Sequence, residues 1–206
     1  MPRSYRLGAR KLSIEETRAR VISAARDLLA TSTSPVGFSI EAVARSADVA
    51  RMTVYYQFGT KAGLLQAVFD DLAASGGMEQ LRTAFMSSDP LEGLGRFIEV
   101  FCRFWASNPV IFRRLRALAL LDQDLGHELA SREEGARRGL RVLLQRMAAD
   151  QEGPDPADIE RTAGVLFTLT SFETFDSLQS QLGGGPDEIA RVIRRLARCA
   201  IDTSEE

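Results

Sequence analysis
The chain has 206 residues, with 26 Lys and Arg against 28 Asp and Glu, one His and two Cys. At roughly 100–200 residues per domain this is one large domain or two small ones, and an apolar content of 45% supports a packed core. His127 alone leaves little for a His-based metal site or catalytic network. Cys102 and Cys199 are too far apart in sequence for a zinc ribbon or a disulfide framework, and they fit a reducing compartment.

The longest nearly uncharged apolar stretch, 163–172, is about half of the ~20 residues that cross a bilayer, so no membrane partner is expected. The basic N-terminus has no apolar run behind it and does not read as a secretory signal. Net charge is −2, but it is unevenly spread. Residues 1–61 carry ten Lys or Arg against five acids, and 62–206 carry sixteen against twenty-three. A basic head on an acidic body suits a head that meets a polyanion; a solvated surface with a basic tail is the plainer alternative.

In chain order, residues 1–12 are Arg-rich without apolar periodicity and read as a mobile arm. Ser13-Ile14-Glu15-Glu16 has the pattern of a capping box, and Ile14, Val21, Ile22, Ala25, Leu28 and Leu29 then recur at helical spacing. That helix stops in 31–37, a run of Thr, Ser, Pro and Gly. A short helix over 40–46 follows with Ser39 as N-cap, then a tight connection over 47–49 and a third helix from about Ala50 to Gln57. Phe58-Gly59-Thr60 breaks it, and a fourth helix runs from Lys61 to about Ser75.

Beyond that point helix starts share one design. Asp89-Pro90, Asn108-Pro109, Asp155-Pro156 and Gly185-Pro186 each set a cap residue before a Pro, whose missing amide costs nothing at the first helical position. They open amphipathic runs over about 90–106, 109–120, 156–181 and 186–202, with a further long helix over about 123–150. No strand periodicity and no internal repeat is visible. The expected fold is all-α with roughly nine helices: a three-helix head over 1–60 and a helical body over 61–206.

Three short helices with a tight turn between the second and third describe a helix-turn-helix, which lays its third helix in the DNA major groove. Arg51 can bond guanine bidentately and Thr53 can bond a base edge or touch a thymine methyl. Tyr55, Tyr56 and Gln57 can reach phosphates, and Lys61 opens the next helix, where a phosphate gains amides and an ammonium together. Singly these residues are as readily structural: the Tyr-Tyr-x-Phe run can be core, as Phe58 reads, and Thr60 can be a plain N-cap. The combination is what points to DNA.

Residues 38–65, FSIEAVARSADVARMTVYYQFGTKAGLL, resemble the DNA-binding signature of the tetracycline-repressor (TetR) family of transcriptional regulators. The matching positions are Ala25, Leu28, Gly37, Val43, Ala44, Ala47, Val49, Thr53, Val54, Tyr55, Tyr56, Phe58, Lys61 and Leu64. Four positions depart from the pattern. Asp48 stands where the turn usually has Gly, Ala50 where Ser caps the recognition helix, Met52 where Gly is common, and Gln57 where His is common.

The resemblance implies DNA contacts from Ser39, Ala50, Arg51, Thr53, Tyr55, Tyr56, Gln57 and Lys61. It implies a cytoplasmic, nucleoid-associated bacterial repressor acting on palindromic operator DNA, not an enzyme, and needing no cofactor or metal. It also implies a homodimer through about 156–202, where Ile189, Val192, Ile193, Leu196 and Ala200 form an apolar stripe that could equally pack within one chain.

The family's body encloses a small-molecule cavity, here for a largely apolar effector. Phe101, Phe104, Trp105, Phe112, Phe167, Phe172 and Glu173 are the candidate lining residues, with ordinary core packing as the alternative for each ring. Glu173, in an aromatic stretch, needs a partner or solvent. No phosphate-binding loop, HExxH or GxSxG motif supports catalysis. The competing function is a helical small-molecule-binding or adaptor dimer whose head does not bind DNA.

Overall fold
The computed structural model describes residues 3–31, 38–149 and 153–202, with side chains from Ser13 onward. The described residues form eleven α-helices and no strand. They are α1 (Arg3–Thr31), α2 (Ile40–Ser46), α3 (Arg51–Phe58), α4 (Lys61–Ser75), α5 (Leu81–Met86) and α6 (Pro90–Ser107). The rest are α7 (Pro109–Ala119), α8 (Gln123–Ala149), α9 (Ile159–Thr170), α10 (Phe172–Leu182) and α11 (Pro186–Asp202). Single 3-10 turns at Met78–Gln80 and Pro156–Asp158 precede α5 and α9. The all-α expectation holds, with two more helices than expected.

The chain divides into two compact units, residues 1–71 with 113–128, and residues 72–112 with 129–206. In the first unit, α1 buries Val21, Ala24, Ala25 and Leu29. It begins ten residues before Ser13, because Arg, Leu, Ala and Lys in 3–12 are good helix formers. The arm expected over 1–12 is therefore helical from Arg3, and Ser13 is an interior position rather than a cap. The Ser13 carbonyl accepts from the Thr17 hydroxyl at 2.7 Å. The side chains of Arg3, Arg6 and Arg10 lie outside the described ones.

Ser39 does cap α2, its hydroxyl accepting from the Ala42 amide at 3.2 Å. The turn into α3 is a Schellman closure: Val49 N–H donates to Ala44 O at 3.0 Å and Asp48 N–H to Arg45 O at 3.3 Å. Asp48 sits at φ 51°, the left-handed position that Gly fills most easily and that Asp tolerates through its short polar side chain. Arg26 pairs with Asp71 at 2.6 Å, Gln66 donates to Glu128 at 3.0 Å, and Arg114 donates to the Leu29 carbonyl. These polar ties join α1, α4, α7 and the start of α8 within the unit.

The second unit is built on α6. Its Leu94, Phe97, Ile98, Phe101 and Cys102 share one core with Leu140, Leu143 and Leu144 of α8, Leu166 of α9, Phe175 of α10, and Ile189, Ile193 and Ala197 of α11. Asp89 caps α6 through Leu91 N–H at 2.7 Å and Glu92 N–H at 3.2 Å, with Pro90 at the first helical position. The α5–α6 approach is close: a Cβ on Gly93 would lie 2.5 Å from the Ala84 carbonyl oxygen.

The run expected as one helix over 156–181 is broken. Pro156 opens only a 3-10 turn, and α9 and α10 meet at Ser171. The cause is hydroxyl competition with the backbone. Ser171 Oγ donates to Thr168 O at 2.8 Å and accepts from Thr174 N–H at 3.2 Å, so it caps α10 where a continuous helix would need its own amide. The α11 stripe is partly a monomer feature: Ile189 and Ile193 are fully buried in the unit's core, whereas Leu196 is 45% exposed.

Candidate nucleic-acid interface
The second and third helices of the head place a short, mostly solvent-facing helix after a tight turn. Of the eight residues of α3, only Val54 is fully buried. It anchors the helix, and the opposite face is exposed: Arg51, Met52 at 73% and Tyr56 at 87%. Ala50, also exposed, precedes the helix and offers no side-chain cap. The first turn closes through Thr53 N–H to Ala50 O at 2.9 Å. Thr53, Tyr55 and Gln57 are half-buried at its flanks.

Each expected contact has a definite place. Ser39 is half-buried and caps α2. Lys61, half-buried at the start of α4, holds its Nζ 5.8 Å from the centre of the Phe38 ring. Thr60 caps that helix through Gly63 N–H at 2.9 Å. Gln57 turns its side-chain oxygen inward, where it is buried without a hydrogen-bond partner, and its carbonyl accepts from Arg18 at 3.2 Å. Phe58 is half-buried, not core, with the Arg18 guanidinium 4.5 Å over its ring.

Arg51 is the most organised group on this face. Its Nη1 lies 2.8 Å from Glu41 Oε1, its Nη2 donates to Tyr55 Oη at 3.1 Å, and its Cζ is 5.2 Å from the Tyr55 ring centre. The Tyr55 hydroxyl, and then the Glu41 carboxylate, push the guanidinium above its ordinary range, so it is a fixed positive charge. Glu41 is a participant that sequence reasoning missed. It lies ten residues back on another helix, and only the folded turn brings the two together. Met52 was also missed: an exposed thioether carries no donor or acceptor, but on this face it can touch a thymine methyl.

In the second unit, five of the expected lining rings form one stack. Trp105 lies 5.9 Å from Phe101, 4.6 Å from Phe104, 5.0 Å from Phe112 and 5.5 Å from Phe172, between ring centres. The Trp105 indole N–H donates to Thr170 O at 2.9 Å. Phe104, Phe112 and Phe172 are buried; Phe167 is half-buried under the Arg137 guanidinium at 4.2 Å. Glu173 is exposed in the first turn of α10, where a carboxylate complements the helix dipole. Among the described residues no group of three or more His, Cys, Asp or Glu could hold a metal, and no helix is long and apolar enough to cross a membrane.

Residues 21–68 match the family model of bacterial regulatory proteins, tetR family, and this segment contains the whole α2–turn–α3 geometry. The match covers the head segment of the chain. Solved structures of transcriptional regulators share its fold. FadR from Bacillus subtilis, in complex with stearoyl-CoA, is 15% identical with a TM-score of 0.70, covering 89% of this chain and 98% of that one. A TetR regulator from Haloarcula marismortui is 17% identical with a TM-score of 0.70, covering 92% and 98%. PfmR from Thermus thermophilus is 20% identical with a TM-score of 0.68, covering 87% and 97%. No curated protein matches the chain.

Proposed function
We propose that this protein is a ligand-responsive transcriptional regulator of the TetR family that binds a palindromic operator as a homodimer and is released by a small-molecule effector. The observation that carries this is α3: a helix anchored by Val54 whose outward face presents Arg51, Met52 and Tyr56 after a Schellman turn. Residues 1–60 form the DNA-binding head and 61–206 the effector-binding and dimerisation body. Exposed Val165, Leu182 and Leu196 on α9–α11 supply apolar surface for a partner copy through about 156–202.

The aromatic stack around Trp105 favours a largely apolar effector, and the stearoyl-CoA carried by the FadR structure makes acyl thioesters the first class to titrate. The effector acts by population shift, binding better to a dimer whose recognition helices stand off operator spacing. A 100-fold loss of operator affinity needs only about 2.7 kcal/mol of differential binding.

The test is a titration of the protein into duplex from upstream of its own gene and into scrambled duplex, at two salt concentrations. A preference of at least ~10³ is the expected result. Absence of binding at low salt would overturn this function and favour a helical small-molecule-binding or adaptor dimer.

A further inference from the structure
Arg51 carries five N–H donors in a planar fork. The Glu41 contact at 2.8 Å and the Tyr55 bond at 3.1 Å engage its two terminal nitrogens. Each of those nitrogens keeps a second hydrogen, which is what a bidentate bond to the O6 and N7 of guanine requires. The guanidinium is thus braced from α2 and from the next turn of α3 while more than half of the side chain stays open to solvent. The brace also brings a negative charge to the one cation of the recognition helix. An unbraced arginine on this face would swing to the nearest phosphate, which is found on every sequence.

We propose that Glu41 is a specificity-determining positioning residue: it holds the Arg51 fork in base-reading geometry and keeps its charge off the phosphates. This rests on the DNA-binding function proposed above. On non-specific duplex the Glu41–Arg51 pair stays closed, and Arg51 contributes little. On the operator, the two remaining hydrogens meet a guanine edge without the pair having to open.

The test is a double-mutant cycle with Glu41→Gln, Arg51→Ala and the double variant, measured on random-sequence duplex and on a duplex selected from a random pool by the unaltered protein. Glu41→Gln frees Arg51 for one phosphate. One such contact steepens the log–log salt slope by about 0.9, which at 0.1 M salt is about eightfold tighter binding to random duplex. Preference for the selected duplex falls by the same factor. In the Arg51→Ala background the same change moves random-duplex binding by less than about twofold, because no freed fork remains.

Two results would overturn the proposal. One is an equal Glu41→Gln effect with and without Arg51, which would make Glu41 a mere repulsive charge. The other is an unchanged salt slope. Both are distinct from failure of the underlying function, in which the unaltered protein would show no salt-dependent duplex binding at all. Thermal melting of Glu41→Gln with the unaltered protein separates these outcomes from misfolding, since the pair is solvent-exposed.

Discussion
Trp105 gives the sharpest test of the body. It is the only Trp of the chain, it touches Phe101, Phe104, Phe112 and Phe172, and its N–H is bonded to the Thr170 carbonyl. Trp105→Phe keeps an aromatic ring in the stack but deletes the donor. Thr170 is only 5% exposed, so its carbonyl has no ready access to water. The lost bond is worth about 0.5–1.5 kcal/mol and an orphaned buried acceptor brings the cost to about 2 kcal/mol. For a chain of this length each kcal/mol moves the melting temperature by roughly 2–4 °C, so a fall of about 4–8 °C is expected. Urea unfolding followed by far-UV circular dichroism, at one fixed protein concentration, measures the free-energy difference between the two proteins, and thermal melting measures the shift. A change under ~0.5 kcal/mol with an unchanged m-value would refute the reasoning, because Thr170 O would then be satisfied without the indole.

Lys61→Ala should weaken binding to selected and random duplex alike and reduce the salt slope by about one, read by titration at several salt concentrations. Arg146→Met should destabilise the fold by about 2 kcal/mol in chemical unfolding. Its guanidinium donates to Phe85 O at 3.0 Å and Ser87 O at 2.5 Å, satisfying carbonyls at the end of α5 that a thioether cannot reach. Burial pushes the Cys102 thiol up to about 12, whereas Cys199 is exposed. Iodoacetamide at pH 8 should therefore alkylate Cys199 and spare Cys102 in the folded protein, as read by peptide mass spectrometry.

Much of the helical layout was legible because its signals are local. Asp89 and Ser39 cap the helices they precede, and all three cap bonds reach residues within three positions. The Asp48 turn was legible for the same reason: one residue type tolerates one backbone conformation. The misreadings occurred where a local signal lost to a competitor. Ser13 and Glu16 have capping-box spacing, yet the residues before them favour helix, so α1 runs through. The aromatics dominate the pattern of that stretch, whereas the Ser171 and Thr174 hydroxyls both take the Thr168 carbonyl at the break. The six residues of α5, between Gly77 and Ser87, were too few to show a period, although Leu81, Ala84 and Phe85 keep the spacing of one face. Of the candidate site, the residue types on α3 were readable but their directions were not. That Gln57 turns inward and Tyr56 outward depends on where Val54 is anchored.

The missing cap at Ala50 and the Glu41 brace bear on the same helix. An eight-residue helix has no stability of its own in water, so α3 exists only through what holds it. Its start lacks a side-chain acceptor; its end closes through Gly59 N–H to Tyr55 O at 2.8 Å, and its middle is fixed by Val54. Between these, Arg51 ties the first turn to α2 through Glu41 and to the second turn through Tyr55. Arg51 therefore supports the helix, and in the proposed function it also contacts DNA, so Arg51→Ala alone would mix the two. A loss of affinity in that variant could reflect a frayed first turn as easily as a lost base contact. Glu41→Gln leaves the Tyr55 bond, the Val54 anchor and the Gly59 closure in place and removes only the charged tie to α2. A change in sequence preference without a change in melting would then belong to recognition and not to folding.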